Sequence, residues 1–80
     1  MAVTYRLQVT VQGDSDFYNV LYDKASDIGA QITKMHIIKN DDKTITYRFN
    51  LYVEHPHHSR ELNDFMREHE EIKDISGNLL

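Results

Sequence analysis

The 80-residue sequence predicts a single α+β domain whose strands and helices follow the order βαββαβ. Residues 3–12 and 44–53 alternate strictly between apolar and polar side chains, which indicates strands with one buried face. Two further segments carry apolar side chains at helical spacing. The residues that favour turns or breaks lie at the expected element boundaries: Gly13, Gly29, Pro56 and Gly77.

The first strand is predicted over Val3–Gln12, and Gly13 ends it. Its inward positions are apolar or aromatic: Val3, Tyr5, Leu7, Val9 and Val11. Its outward positions are polar: Thr4, Arg6, Gln8, Thr10 and Gln12. Because the two sets do not mix, we expect a sheet with one face on the core and the other face bare.

The first helix is predicted from Ser15 to Ile28, with Gly29 closing it in a left-handed conformation. Asp14, Ser15 or Asp16 can cap its first turn, because a side-chain oxygen at that position accepts a free backbone N–H. Its core-facing stripe, with the Lys24 stem at the edge, consists of Phe17, Val20, Leu21, Lys24, Ala25 and Ile28.

A hairpin is predicted next, with strands over Gln31–Lys39 and Thr44–Val53 joined by the turn residues 40–43. The apolar positions of its first strand are Ile32, Met35, Ile37 and Ile38. The inward positions of its second strand are Ile45, Tyr47, Phe49, Leu51 and Val53. A second helix is expected over Ser59–Glu70. Its inward stripe consists of Leu62, Phe65 and Met66, and can extend to His69. A short strand over Ile72–Ser76 and a frayed tail are expected to follow.

A ferredoxin-like sandwich satisfies this order: a four-stranded antiparallel sheet, with strands one and three central and both helices on one face. We call the uncovered side the open face; it carries Thr4, Arg6, Gln8, Thr10, Thr44, Thr46, Arg48, Asn50 and Tyr52. One interpretation is a simple solvated surface. The other is a docking surface for a second copy or another domain, with interaction residues Arg6, Gln8, Arg48, Asn50 and Tyr52.

Charge and composition argue against several other roles. Thirteen acidic residues against nine Lys and Arg give a net charge of −4, which does not favour binding to a nucleic-acid backbone. An RNA-binding sheet needs aromatic side chains on its open face, whereas Tyr5, Tyr47 and Phe49 are phased inward. The chain contains no cysteine, which excludes thiolate metal sites, and it has no apolar run long enough to span a membrane.

No nucleophile–base pair or glycine-rich phosphate loop is evident, so the sequence predicts a non-enzymatic domain without a cofactor. Ser15 lies between two carboxylates and is interpreted as a helix cap. A second hypothesis is small-molecule sensing by Asp14, Ser15 and Asp16, whose carboxylates could meet the ammonium group of an amino acid.

Three histidines cluster before the second helix, at His55, His57 and His58. Imidazole groups, with the carboxylates of Glu54 and Glu61 nearby, suit zinc, nickel or copper, so metal sensing is a third hypothesis. The alternative is an exposed polar loop that leads into the helix.

Three segments carry a resemblance to a known family: residues 5–11 as the opening strand, 27–32 as the passage from helix to strand, and 72–75 as the final strand. With them the chain resembles an ACT-type regulatory domain. It is most similar to the cytosolic C-terminal domain of the MgtC/SapB family of membrane proteins. In many ACT domains an Asp-x-x-Gly or Asn-x-x-Gly signature after the first strand holds an amino acid, and here residues 13–17 lack the second glycine.

The resemblance implies that the chain is a cytosolic piece of a larger protein in the bacterial inner or cell membrane, linked to Mg²⁺ limitation. It implies regulation through protein contact, with the parent protein or a second copy as the partner. It also allows a small-molecule effector, and it implies neither nucleic-acid binding nor membrane insertion by this segment.

Overall fold

Four antiparallel strands form one sheet in the order β2-β3-β1-β4. The structure is a computed structural model that describes residues 1–55 and 57–80, with residues 58 and 59 described by their backbone alone. The elements are β1 (Val3–Gln12), α1 (Phe17–Asp27), β2 (Gln31–Lys39), β3 (Thr44–Val53), α2 (His57–Arg67) and β4 (Ile72–Leu79). This is the ferredoxin-like βαββαβ arrangement that the sequence predicts, with β1 and β3 in the centre.

The register of the two central strands explains the separation of the two sheet faces. β1 and β3 pair over their full length, from Val3 opposite Val53 to Gln12 opposite Thr44. Each inward residue of one strand therefore faces an inward residue of the other. A slip of one residue would turn every apolar side chain to the open face, so the hydrophobic pattern fixes this register.

The core lies between the sheet and both helices. Its fully buried large side chains are Val9, Val11, Phe17, Leu21, Phe49, Leu51, Val53 and Leu62. Each contributes roughly 1.5–3 kcal/mol to folding through removal from water. Because residues of α1 and α2 belong to one cluster with the inward residues of β1 and β3, both helices cover the same sheet face. The predicted inward phasing of Tyr5, Tyr47 and Phe49 is confirmed.

Helix α1 begins two residues later than the predicted Ser15, because Asp16 takes the N-cap position and Ser15 lies outside the helix. The Ser15 hydroxyl accepts a hydrogen bond from the Phe17 amide at 3.1 Å. At the other end Gly29 has a φ of 70°, and the Ala30 amide donates to the Ala25 carbonyl at 2.8 Å. This is the left-handed glycine closure that the sequence predicts.

Helix α2 covers His57–Arg67, whereas the sequence predicts Ser59–Glu70. The chain leaves the helix early because it must enter β4 at Ile72, which pairs with Val11. Backbone hydrogen bonds close the end of the helix. The Glu68 amide donates to the carbonyls of Asp64 and Phe65, and the Ile72 amide donates to the carbonyl of His69. Tertiary pairing thus decides this boundary.

The prediction of a short fourth strand and a frayed tail is wrong. β4 extends to Leu79, opposite Tyr5, and the Leu80 amide donates to the Thr4 carbonyl at 2.8 Å. Backbone pairing with β1 holds residues of low strand propensity in place. Gly77 is part of this strand and does not mark a boundary: a Cβ there would collide with the Leu7 side chain.

A bulge interrupts β2. The register passes from Thr33 opposite Asn50 to His36 opposite Arg48, so Lys34 and Met35 together lie opposite a single residue of β3. Lys34 has a φ of 54°. The extra residue lets both Ile32 and Met35 pack against the core, although they are three positions apart.

Candidate binding face

On the open face, side chains that lie opposite one another on neighbouring strands form a grid of rows across the sheet; three of these rows include all four strands, and the first includes β1, β2 and β3. β2 and β4 extend the two central strands on either side. The rows are Gln31–Tyr52–Thr4, Thr33–Asn50–Arg6–Asn78, His36–Arg48–Gln8–Ser76 and Ile38–Thr46–Thr10–Asp74. Neighbours within a row are close enough for their side chains to interact.

The structure brings the predicted interaction residues together. Arg6, Gln8, Arg48, Asn50 and Tyr52 occupy adjoining positions in three consecutive rows of β1 and β3. Arg6, Gln8 and Arg48 are exposed, and the other two are half-buried. Their role in binding stays a prediction, since their placement alone identifies no partner.

One end of the open face is internally hydrogen-bonded. The hydroxyl oxygens of Thr10 and Thr46 lie 2.8 Å apart, and the Asn40 amide donates to Thr46 at 2.9 Å and to Thr44 at 3.0 Å. The Thr44 amide in turn donates to the Asp42 carboxylate at 3.1 Å. Hydrogen bonds from the hydroxyl and amide of Thr44 lower the pKa of Asp42. This end needs no partner to satisfy its polar groups.

The middle of the open face carries three cationic side chains and one imidazole, which together we call the basic cluster: Arg6, Lys34 and Arg48 with His36. With Phe49 and Asn50 they line a hollow of about 270 Å³. Among the residues that the structure describes, the one ion pair is between His69 and Glu71, so none involves this cluster. Arg6 and Arg48 are among the predicted interaction residues, whereas Lys34 and His36 are not.

The spacing of the apolar residues in β2 is the feature of the sequence that indicates where Lys34 and His36 lie. Ile32 and Met35 are three residues apart, and strict alternation cannot turn both toward the core. A bulge resolves the conflict and places Lys34 and His36 on the open face. The spacing of these two apolar residues therefore indicates both additional cluster members.

The predicted ligand residues after β1 do not converge on one site. Asp16 accepts a hydrogen bond from the Asn19 side chain at 2.8 Å, and Ser15 serves the first turn of α1. Asp14 lines a separate hollow of about 740 Å³ between this loop and the β2–β3 turn. Its charged lining consists of Asp14, Lys39, Asp42, Lys43 and Lys73. Only Asp14 of the predicted set is part of it.

The histidine cluster is described in part. The rings of His55 and His57 are stacked with their centroids 5.8 Å apart. The side chain of His58 lies outside the described residues. Within the described part of the chain, no three His, Cys, Asp or Glu side chains form a group that could hold a metal ion. The three-histidine site stays a prediction.

The chain has a ferredoxin-like fold, which it shares with solved structures of several kinds. A search of protein-family models finds no match, and neither does a search of curated proteins. Similar solved structures do exist. The ACT domain of a GTP pyrophosphokinase from Chlorobium tepidum is 12% identical, with a TM-score of 0.75 over 98% of this chain and 100% of that one.

Two further solved structures have the same architecture. The C-terminal domain of the MgtC protein from Mycobacterium tuberculosis is 15% identical, with a TM-score of 0.77 over 98% of this chain and 87% of that one. The 30S ribosomal protein S6 from Thermotoga maritima is 10% identical, with a TM-score of 0.80 over 100% and 89%. At such identities the likeness shows the fold alone. Within the described residues, no helix combines the length and the apolarity that a membrane span requires.

Proposed function

We propose that this chain is a non-enzymatic regulatory domain that acts by docking its open face onto a protein. The observation that carries the proposal is the combination, on one uncovered sheet face, of exposed arginines with amide and hydroxyl groups. Such groups form hydrogen bonds across a contact without burying a bare carboxylate. Arginine in particular is enriched at protein interfaces.

The contacts of the loop after β1 support a non-enzymatic role. Ser15, flanked by two aspartates, accepts the Phe17 amide as an ordinary helix-start residue does. The Ser15 hydroxyl therefore makes a local hydrogen bond just before the helix, as serine commonly does at such positions, and none of its described hydrogen bonds involves a histidine.

The proposed partner is a second copy of this chain, or the MgtC/SapB-type membrane protein of which this chain would be a part. The fold shared with the C-terminal domain of the mycobacterial MgtC protein supports this choice. In this proposal the chain is a cytosolic piece of a bacterial membrane protein linked to Mg²⁺ limitation. The genomic reading frame upstream of Met1 tests it: several apolar spans there would support the parent protein, and their absence would contradict it.

Light scattering at micromolar concentrations tests docking between copies. Arg48→Glu reverses a charge at the centre of the open face, whereas Arg60→Glu reverses one on exposed α2. We expect a dimer that Arg48→Glu dissociates and Arg60→Glu leaves intact. A strict monomer that also binds the parent protein equally well with and without Arg48→Glu would contradict docking through this face.

A second candidate function is amino-acid sensing, which the charged hollow beside Asp14 favours. Asp14 and Asp42 could meet an ammonium group, while Lys39, Lys43 and Lys73 could meet a carboxylate. A thermal-shift screen of amino acids tests it, with Asp14→Asn as the site variant. Asp23→Asn, on exposed α1, is the matched control. Stabilisation that Asp14→Asn alone abolishes would support sensing, and no shift with any amino acid would contradict it.

A further inference from the structure

We propose that the basic cluster on the open face is a binding site for the phosphate group of a small molecule. This goes beyond docking onto a protein, because the ligand is a small anion that the four side chains would hold themselves. The site lies on the same face as the proposed docking surface but does not depend on a protein partner.

The sheet register places the cluster members next to one another. His36 lies directly opposite Arg48 on the β2–β3 pair. Arg6 lies opposite Asn50, one step along the same face from the Gln8–Arg48 pair, so Arg6 and Arg48 are diagonal neighbours. Diagonal positions are about 7–8 Å apart at the backbone, a span that two arginine side chains readily close around one oxyanion.

These positive charges have no local compensation. No acidic side chain of the described residues lies within 4 Å of a nitrogen of Arg6, Lys34 or Arg48. The two rows that contain Arg6 and Arg48 hold amides, hydroxyls and one imidazole, and the nearest acid in the grid is Asp74, in the next row. Although the chain has a net charge of −4, an anion at this point of the open face would meet positive side chains without a neighbouring carboxylate to repel it.

The bulge adds the third positive side chain. In a regular strand that follows Ile32 and Thr33, Lys34 would stand on the core side of the sheet. With its left-handed backbone it instead lines the hollow beside Arg48 and Asn50. Bulges commonly re-aim a side chain at a functional position. Here the redirected side chain is that of Lys34, whose ammonium group is added to the guanidinium groups of Arg6 and Arg48.

The chemistry of the lining selects phosphate. Guanidinium groups bind phosphate oxygens through two parallel charge-assisted hydrogen bonds, and a lysine ammonium adds a point charge. The Asn50 side chain offers a neutral donor in the same hollow. The volume of about 270 Å³ exceeds what a phosphate group alone needs, which leaves space for part of an ester. The single aromatic residue of the grid, Tyr52, provides no stacking platform for successive bases, which argues against RNA.

Backbone amide NMR titration tests the site, with inorganic phosphate in one arm and glycerol 3-phosphate, a simple monoester, in the other. Sodium chloride at matched ionic strength controls for screening, and a short single-stranded RNA is the competing ligand. We expect saturable shifts confined to the neighbourhood of the cluster in at least one phosphate arm. Tighter binding of the monoester would identify an ester ligand, and equal or tighter binding of inorganic phosphate would identify the free anion.

Three variants assign the binding to the cluster. Arg48→Gln should weaken phosphate binding about tenfold or more, since a charge-assisted hydrogen bond is lost. Lys34→Gly removes a charge at a backbone conformation that glycine adopts freely, so binding should weaken while the fold is retained. Arg60→Gln, on α2, should change nothing.

Three results would overturn the site. They are shifts that chloride reproduces, binding that Arg48→Gln and Lys34→Gly leave unchanged, and binding of RNA without binding of either phosphate. Light scattering without phosphate reports on protein docking separately, so failure of one proposal is distinguishable from failure of the other.

Discussion

The hydroxyl oxygens of Thr10 and Thr46 lie 2.8 Å apart across the central strand pair, and Thr46 also accepts a hydrogen bond from the Asn40 side chain. Thr46 is 8% exposed, although it belongs to the open face. The polar end of that face is therefore a closed hydrogen-bonded unit that links β1 to the β2–β3 turn.

We predict that Thr46→Val destabilises the fold by about 1–2 kcal/mol, because it removes the partner of the Thr10 hydroxyl and one of the two hydrogen bonds of the Asn40 amide. Valine matches threonine in shape and favours strands, so the loss reports on the hydroxyl. Urea denaturation measures it. The double variant Thr10→Val/Thr46→Val should cost less than the sum of the two single variants, and strictly additive losses would show that the hydroxyls do not interact.

We predict that replacing Gly13 with any residue that has a side chain destabilises the fold. Its amide donates to the Lys43 carbonyl at 2.9 Å, and a Cβ would collide with that carbonyl oxygen. Gly13→Ala should therefore destabilise the fold by about 1–3 kcal/mol through overpacking. Chemical denaturation of this variant is the measurement.

Gly29 provides the matched comparison. A Cβ at this position would have no other atom within 4 Å, but the φ of 70° disfavours residues other than glycine. Asparagine tolerates that conformation, so Gly29→Asn should cost less than Gly29→Ala. At Gly13 the order should differ, with Asn as harmful as Ala. Equal tolerance at the two positions would contradict the contact with Lys43.

Lys43→Gly is expected to stabilise the fold by about 0.5–1 kcal/mol. Lys43 has a φ of 68° at the end of the β2–β3 turn, where glycine has no steric penalty. Thermal unfolding measures the gain. Asp41→Gly, in the same turn but without a positive φ, should give no gain. If both variants destabilise equally, chain entropy outweighs relief of the left-handed conformation.

Tyr47 should make the protein sensitive to alkaline pH. Burial, followed by the charges of Tyr18 and Asp16, raises the pKa of Tyr47 above its ordinary value of 10.0. Because the folded pKa is the higher one, the stabilisation is complete below pH 10.0 and is lost as pH rises through the folded pKa. Denaturation midpoints measured from mildly to strongly alkaline pH test this expectation.

Two tyrosine variants separate the contributions to that pH dependence. Tyr47→Phe should reduce the alkaline loss of stability. Tyr22→Phe should reduce it further, because burial and a hydrogen bond with Tyr18 raise the pKa of Tyr22 as well. A wild-type curve that stays flat well above the ordinary tyrosine pKa would contradict both assignments.

The sheet was predictable where side-chain period and backbone pairing agree. In β1 and β3 the alternation is unbroken, and the structure reproduces both strands at the predicted residues. β4 was underestimated because its later residues, including Gly77, have low strand propensity, and a neighbouring strand holds them through backbone hydrogen bonds. Propensity is a local quantity, and this strand depends on contacts with the opposite end of the chain.

The candidate sites divide in the same way. Arg6 and Arg48 follow from alternation, because period two puts them on the open face. Lys34 joins them only through the bulge, which the three-residue spacing of Ile32 and Met35 indicates but alternation does not locate. Asp14 and Asp16 are close in sequence, yet the turn into α1 directs them to different surroundings.

The pairing of Tyr5 with Leu79 brings the two ends of the chain side by side, at the same end of the neighbouring strands β1 and β4. A linker of a few residues could join the two termini, and new termini could be placed in the turn between Asp41 and Asp42. The resulting circular permutant would keep every strand neighbour while converting β2 and β3 from a local hairpin into the most distant pair in the chain. Its refolding rate, compared with that of the original order, would report how much of the folding speed comes from that hairpin.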